Sequence, residues 1–538
     1  MRGSAAPAWA FAAALLATVL FALPFRDALT DDSFLRFRSA KELLSGHRLA
    51  PEVPGAAEGD GGPLWILLLA AAGRFIPGAG DTPANAAAVP ALASVATWLG
   101  LGALLGTVAF LPRLGRRLGW GAWSPLLPAF LLAVHSSSAR WALSGIETAL
   151  AVLLVALALD ALAATLLEGA SPFRAGTLLG LAFLTRPECM ALAAIAAAGV
   201  WIGSGERRAR SLGIYAAGFA LVAAAGFVAI GVRLHGTPSI AAPPLQGWNP
   251  SGASEAVRRS IREVLGTAAA PVACAIAALA FAPLGRILGE ARGRRAFWLI
   301  VAAWPIVLLG VVAGSASPDE SRAFLPAVPS ILLLGVASLR WVRGAAAPPL
   351  RPALATAFLL LAVAQNGFVA LSGAVPRARA EAADLRSTLA WLGVWARTST
   401  PPGTLFAAPS SGAFGFYSDR PVLEVSRRPA TALAPMVARD GYDAVVERLL
   451  FERAGRPSYL IDRSTEAGRL VHGSDSPAPY RMILTRGAQG TGSPEDAVYY
   501  SLYSIDWGAF DQGTQPPVAE TAPRTVADLG AVAPVLYP

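Results

Sequence analysis

The sequence predicts a polytopic α-helical membrane protein of about 11 transmembrane helices, with a soluble α/β domain at its C-terminal end. Three observations predict it. Of the 538 residues, 54% are hydrophobic and only 15% charged, with a mean hydropathy of +0.51. A soluble globular chain carries about a quarter charged residues, so this one lacks the polar side chains to cover a water-facing surface of its size. The apolar residues are gathered in blocks, such as those beginning at Trp9, Leu212 and Thr356, each close to the ~20 residues that a helix needs to cross hydrocarbon. From residue 375 onward charges become frequent and the blocks stop.

The blocks are rich in Ala and Leu, strong helix formers, and in lipid a helix satisfies its own backbone polar groups. Spans are expected near 8–25, 84–111, 122–139, 146–166, 173–203, 211–233, 266–284, 296–313, 324–341 and 352–373, with a weaker apolar stretch at 63–78. The first block follows Arg2 but runs into Pro24, Phe25 and Arg26 instead of a small-residue cleavage site, so it reads as an uncleaved span. The clusters 206–210, 292–295 and 340–351 are rich in arginine and are expected in the cytoplasm. That leaves 26–62 as an external loop, puts 234–265 and 314–323 outside, and makes 375–538 an external, periplasmic α/β domain beyond a membrane module of residues 1–374.

The first half admits two arrangements. If 63–78 crosses, Arg113, Arg116 and Arg117 fall outside; if it does not, they return inside and 173–203 becomes two short helices meeting near Arg186. In the C-terminal domain, short mixed segments begin at Thr404, Pro421, Tyr442 and Ser458, and 430–454 has helical spacing.

The composition excludes several functions. The net charge of +9 comes from arginines clustered between apolar blocks, the pattern of cytoplasmic loops and not of a nucleic-acid binder. Cys189 and Cys274 both lie in apolar segments, and the four histidines are scattered, so neither a disulfide framework nor a thiolate or histidine metal site is expected. There is no glycine-rich phosphate cradle for a nucleotide.

Three constellations could carry chemistry. Asp31 and Asp32 open a stretch whose Phe34, Leu35, Phe37 and Arg38 stem form one apolar side, which reads as an amphipathic element lying at the outer interface. Paired acids at a helix start either complement the helix dipole or act as a base. Glu147, Arg186 and Glu188 place full charges beside apolar helices, where they form a structural ion pair or face a cavity. His235 and Arg322 fall on external segments; Arg322 sits where a helix re-enters the membrane, a depth that suits either a lipid-linked phosphate or bulk lipid headgroups.

Taken together, DDSFLRFRSAKELLSGHRL from Asp31, GGPLW from Gly61, WALSGIETAL from Trp141, LAFLTRPE from Leu181, SRAFLPAVP from Ser321 and GAFGFYSDRPVLEV from Gly412 resemble the GT-C fold glycosyltransferases. Within that class they are similar to the branch containing the mycobacterial terminal arabinofuranosyltransferase. The resemblance implies transfer of a sugar from a polyprenyl-phosphate carrier to a cell-envelope acceptor at the outer face of the bacterial cytoplasmic membrane. It makes Asp31 or Asp32 the general base; from their charge and placement, Arg36, Arg38, Glu147, Arg186, Glu188, His235 and Arg322 are expected around the substrates. The lipid-linked sugar donor is the one bound group it implies; a divalent cation could assist, but adjacent acids do not by themselves specify one. The sequence departs from the family pattern at Ser39, at 58–62 and at 237–239, which implies an altered donor or acceptor pocket. Two other classes compete: a transporter or flippase of a lipid-linked substrate, which would carry repeated helical halves that this chain lacks, and a non-catalytic assembly protein.

Overall fold

A computed structural model describes residues 8–46, 62–230, 258, 291–314, 320–345, 350–426, 433–472, 480–488 and 498–512. The expected span at 266–284, Cys274 and His235 lie outside the described residues.

The membrane part begins with α1 (Ala8–Ala22), which shows Trp9, Leu16 and Leu20 on its outer side, the face a lipid-bathed helix presents. Next come α2 (Asp31–Leu44), α3 (Pro63–Gly73) and α4 (Ala91–Arg117). Pro90 stands immediately before α4, so this span starts seven residues later than the expected 84. The stretch expected as one span at 122–139 is broken into α5 (Leu127–Ala133) and α6 (Ser136–Leu143), because the His135 ring accepts from the Ser138 amide and starts a new helix. The long α7 (Thr148–Glu168) follows, then α8 (Phe173–Thr185), α9 (Cys189–Gly203) and α10 (Arg208–Ile230). The set continues with α11 (Arg292–Gly314), α12 (Val328–Ala345) and α13 (Leu350–Val369).

Among the described residues seven helical segments are long and apolar enough to cross a membrane, fewer than the 11 expected. The span expected at 266–284 lies outside the described residues, and three other stretches differ for a physical reason. The helices in 63–78, 122–139 and 173–203 are shorter than a full straight span, α8 having 13 residues and α9 having 15, although α8 and α9 each run between the site end and the end where Gly203 meets Leu166. At 1.5 Å per residue the 11 residues of α3 reach only ~16 Å.

The ends of the helices settle the ambiguity at 63–78. Gly62, entering α3, abuts the Thr185 carbonyl, and Gly73, leaving it, abuts Leu92 in the first turn of α4. Both ends of α3 therefore lie at the end of the molecule where α4 begins, and α3 does not cross. As that arrangement requires, 173–203 is two helices meeting at Arg186: Pro187 pushes the preceding residue out of the helical region, and Arg186 is extended at φ −146°, ψ 119°. At the opposite end Arg113 and Arg117 pair with Asp160, Arg117 also reaches Glu168, and Gly293 and Leu166 are in contact. The two ends are ~30 Å apart along the 21 residues of α7.

The C-terminal domain grows out of α13 without a break. A helical rod continues through α14 (Val375–Leu385) and α15 (Trp391–Ser399), with one wide π-turn before each, so residues 374 and 375 lie inside the rod. Beyond it lie β1 (Phe406–Ala408), α16 (Gly412–Ser418), β2 (Val422–Glu424), α17 (Ala434–Asp440), α18 (Tyr442–Glu447), β3 (Tyr459–Ser464), β4 (Tyr480–Gly487) and β5 (Tyr499–Ile505). The sheet runs β2-β1-β3-β5-β4, with β1 parallel to β2 and β3, and β5 antiparallel to both neighbours. This is the α/β domain the sequence predicts, extended by β4 and β5.

One face of the sheet closes over Leu423, Val445, Val446 and Tyr503. The other shares its core with the membrane part: Phe34 and Phe37 of α2 and Trp65 of α3 join Phe406, Phe414, Phe416 and Ile461 in one apolar cluster. The Phe34 ring lies 5.6 Å from both Phe416 and Tyr417. Hence α2 does not lie on the interface as an amphipathic surface element. It is enclosed, with Phe34 to Phe37 all buried, because α16 covers its outer side.

Candidate active site

The charged residues converge where α2, the start of α7 and the α8–α9 junction meet. Gly145, at φ +86°, turns the chain between α6 and α7, a conformation that favours glycine. A Cβ there would press on Phe37 and Ser33 of α2 at 2.9 Å, so the turn also seats α2. Trp65 donates its indole N–H to the Gly145 carbonyl at 3.1 Å. This turn delivers Glu147 to the bottom of the site.

Glu147 is the hub. Arg36 donates Nε to Oε2 at 2.9 Å and Nη2 to Oε1 at 3.3 Å, a two-point contact between side chains that are each only 4% exposed. Arg36 also donates Nη1 to the Asp32 carbonyl at 2.9 Å. Arg186 approaches Glu147 Oε1 at 3.5 Å, donates to Thr148 Oγ1 at 3.2 Å, and donates to Glu188 Oε1 at 3.2 Å. A carboxylate buried this deeply is tolerable only because two guanidinium groups neutralise it.

The two acids of α2 face different partners. Asp32 pairs with Arg322, which arrives on the 3₁₀ segment Glu320–Ala327 ahead of α12 and lies 5.6 Å over the ring of Trp141. Arg36 bonds both Glu147 and the Asp32 carbonyl, so the two groups of charges meet at one site. Asp31 turns to the C-terminal domain: Oδ1 accepts from the Ala413 amide at 2.7 Å and Oδ2 from the Ser410 hydroxyl. Arg38 points the same way, towards α16, where a Cβ at Gly415 would lie 2.9 Å from its Nη1.

The structure thus brings together Asp32, Arg36, Glu147, Arg186, Glu188 and Arg322, holds Asp31 and Arg38 between this cluster and the C-terminal domain, and does not describe His235. Sequence reasoning missed Trp141, Ser410 and Gly412. Trp141 lies in the WALSGIETAL motif, but nothing in the sequence pairs it with Arg322; Ser410 and Gly412 are 379 and 381 positions from Asp31, and no periodicity links them.

Three atoms of the site have no hydrogen-bond partner among the described residues although they are buried: Arg186 Nε, Arg322 Nε and Glu188 Oε2. Buried polar atoms are nearly always paired, so two donors and one acceptor left open at one place mark where a ligand's oxygens and hydroxyls would bond. Among the described residues no group of three or more His, Cys, Asp or Glu side chains is placed to hold a metal ion.

No protein-family model matches the chain, and no curated protein matches it in sequence. Solved structures do match it in shape. ArnT from Cupriavidus metallidurans, in a crystal structure bound to undecaprenyl phosphate, superposes with a TM-score of 0.57 at 14% identity, covering 91% of this chain and 97% of that one. The Archaeoglobus fulgidus oligosaccharyltransferase in its apo form gives 0.57 at 11% identity, covering 90% and 75%. The same archaeal enzyme in complex with Zn and sulfate gives 0.55 at 14% identity, covering 93% and 73%.

The chain has the GT-C fold. Membrane helices and C-terminal domain fall within the match together, since nine-tenths of the chain is covered. In this chain the charged cluster lies at the end of the helices from which the C-terminal domain rises, the end away from the arginine-rich clusters.

Proposed function

We propose that the protein is an inverting glycosyltransferase that moves a sugar from a polyprenyl-phosphate carrier to a cell-envelope glycan, lipid or protein acceptor on the outer face of the bacterial cytoplasmic membrane. The observation that carries this reading is the pair of buried guanidinium groups, Arg186 and Arg322, each with an open Nε, at the membrane boundary of a GT-C fold. Guanidinium forks match phosphate oxygens, and a site at the end of apolar helices can take a phosphate whose prenyl tail stays in lipid. The ArnT structure bound to undecaprenyl phosphate supports a carrier of the same chemistry here. The arginine-rich end, with Arg117, Arg292 and Arg340, would face the cytoplasm, which puts the site and the domain from about residue 375 outside.

Asp31 is the base in this proposal. Its Oδ2 already receives a hydroxyl, that of Ser410, so an acceptor hydroxyl can take the same place. Asp32 instead receives the full charge of Arg322 and holds that guanidinium towards the donor phosphate. The acceptor oxygen attacks the anomeric carbon as its proton passes to Asp31. The bond from that carbon to the phosphate oxygen breaks, and the polyprenyl phosphate leaves with the electron pair. Arg186 and Arg322 stabilise the charge that grows on it. Glu188 Oε2, the open acceptor, would take a hydroxyl of the transferred sugar. Kinship with the arabinofuranosyltransferase branch rests on the sequence motifs, and an arabinofuranose-like donor is the finer form of the proposal.

Two measurements test it. Mass spectrometry of co-purified lipids should find polyprenyl phosphate in the wild type and not in Arg322→Ala; ordinary phospholipid in both would mean an anchor for headgroups. Transfer from a labelled polyprenyl-phosphate sugar in membranes should be lost in Asp31→Asn. Full activity in Asp31→Asn and in Asp32→Asn, at normal protein levels, would remove both acids from catalysis.

A further inference from the structure

We infer that the C-terminal domain positions the base through α16, and that Gly412 and the Ala413 amide are positioning residues for Asp31. The inference rests on Asp31 being the base. Its geometric ground is independent of that assignment.

The N-terminal half of α16 lies directly against the N-terminal turn of α2. A Cβ built on Gly412 would fall 2.2 Å from the Asp31 carbonyl oxygen, 2.5 Å from Oδ2 and 2.6 Å from the carboxyl carbon. Real Cβ atoms do not come that close to backbone, so either residue would have to move. Only glycine at 412 lets the domain reach this carboxylate. The reach is used by the Ala413 amide, one of the helix-start N–H groups that have no partner within their own helix, and it holds Oδ1 at 2.7 Å. Ser411 is kept from that role by Glu424, which is buried and accepts both the Ser411 amide at 3.2 Å and the Ser411 hydroxyl at 2.5 Å. With Oδ1 anchored, the carboxylate cannot rotate, and Oδ2 is presented to the hydroxyl side.

The far end of the contact is clamped separately. Lys41 in the last turn of α2 meets Asp419 and Thr82, and Thr82 itself donates to Asp419 at 2.8 Å. Arg397 at the end of the helical rod donates to the Thr82 and Pro83 carbonyls at 3.4 and 2.6 Å. Two anchors about ten residues apart on α2 set its position and its rotation, and the aromatic contact of Phe34 with Phe416 and Tyr417 lies between them. The domain is thereby part of the catalytic centre, and a docked domain is a condition for transfer.

The experiment uses the full-length protein in detergent or nanodiscs, with Gly412→Ala and Ala413→Pro. The second substitution deletes the N–H at a helix position where proline is tolerated and adds no atom at 412. Both should lower kcat by about 100-fold, the penalty for misplacing a reacting group by ~1 Å, while the KM for the polyprenyl-phosphate donor and the amount of co-purified polyprenyl phosphate stay at wild-type values. Thermal melting establishes that the variants are folded. Wild-type kcat in either folded variant overturns the inference, as does a joint loss of donor binding and turnover, which would show a general structural role. The two readings fail differently. An active Asp31→Asn removes the base itself, whereas an inactive Asp31→Asn beside a fully active Gly412→Ala and Ala413→Pro removes only the positioning role.

Discussion

Both ends of α7 hold a buried carboxylate between two arginines, and the two arrangements differ in what they leave open. At the C-terminal end Asp160 sits between Arg113 and Arg117, and Arg117 continues to Glu168. Arg113 and Glu168 are about half exposed, so the outer members of that chain reach the solvent and headgroup side. At the N-terminal end Glu147 sits between Arg36 and Arg186, and every member of that trio is closed off. There the surplus hydrogen-bonding capacity, Arg186 Nε with Arg322 Nε and Glu188 Oε2 nearby, is buried and unspent. Asp160 Oδ2 is also buried without a hydrogen bond, although Arg113 stands 3.5 Å from it, so the C-terminal end leaves one acceptor open. The N-terminal end leaves two guanidinium donors open as well, and those can receive an anion that comes and goes.

The largest expected effect is on the chemical step. Asp31→Asn should lower transfer by ~10²–10⁴-fold, the usual value of general-base help, with protein level and donor binding retained. Quantitative transfer assays against immunoblotted protein measure both quantities. Next is Glu147→Gln, which takes from the buried Arg36 the carboxylate it bonds at two points and leaves Arg186 with Glu188 alone. Breaking one partner out of a buried ion pair costs about 3–5 kcal/mol, so this variant should melt earlier and accumulate less, and its loss of activity should track its loss of folded protein. Asp31 and Glu147 are then separated by kind: one loses turnover per molecule, the other loses molecules. Arg322→Lys keeps a charge but not the planar fork, and should retain part of the bound polyprenyl phosphate that Arg322→Ala loses altogether.

The comparison also explains which features could be read in advance. Fold class was legible because hydrocarbon imposes a one-dimensional constraint, and blocks such as 148–168 satisfy it visibly in the sequence. Expected spans differ from the observed helices where hydropathy and helix continuity part company. His135 and Pro187 break apolar stretches, yet each weighs little in an average over twenty residues. The charges of the site were legible as anomalies, since Glu147, Arg186 and Arg322 stand out against alanine and leucine. Their division of labour was not, because it depends on contacts hundreds of positions apart. Asp31 and Asp32 are adjacent and chemically identical, and only the folded chain sends one to Ser410 and Ala413 and the other to Arg322. A glycine whose importance is the absence of a Cβ, as at 412, carries no chemical label at all.

The smallest expected effects lie at the arginine-rich end, and they sharpen the contrast most cleanly. Asp160→Asn removes the counter-charge of Arg117, which is only 12% exposed, and should lower stability measurably, because one arginine is left partly buried with Glu168 as its remaining partner. Glu168→Gln should cost no more than about 1 kcal/mol, since its carboxylate is half exposed and an exposed pair contributes little. Neither should alter kcat or the donor KM per folded molecule. If Asp160→Asn reduced turnover without reducing folded protein, Asp160 and Glu147 would have to be coupled along the ~20 Å of α7 between them, and the division between a structural end and a working end would fail.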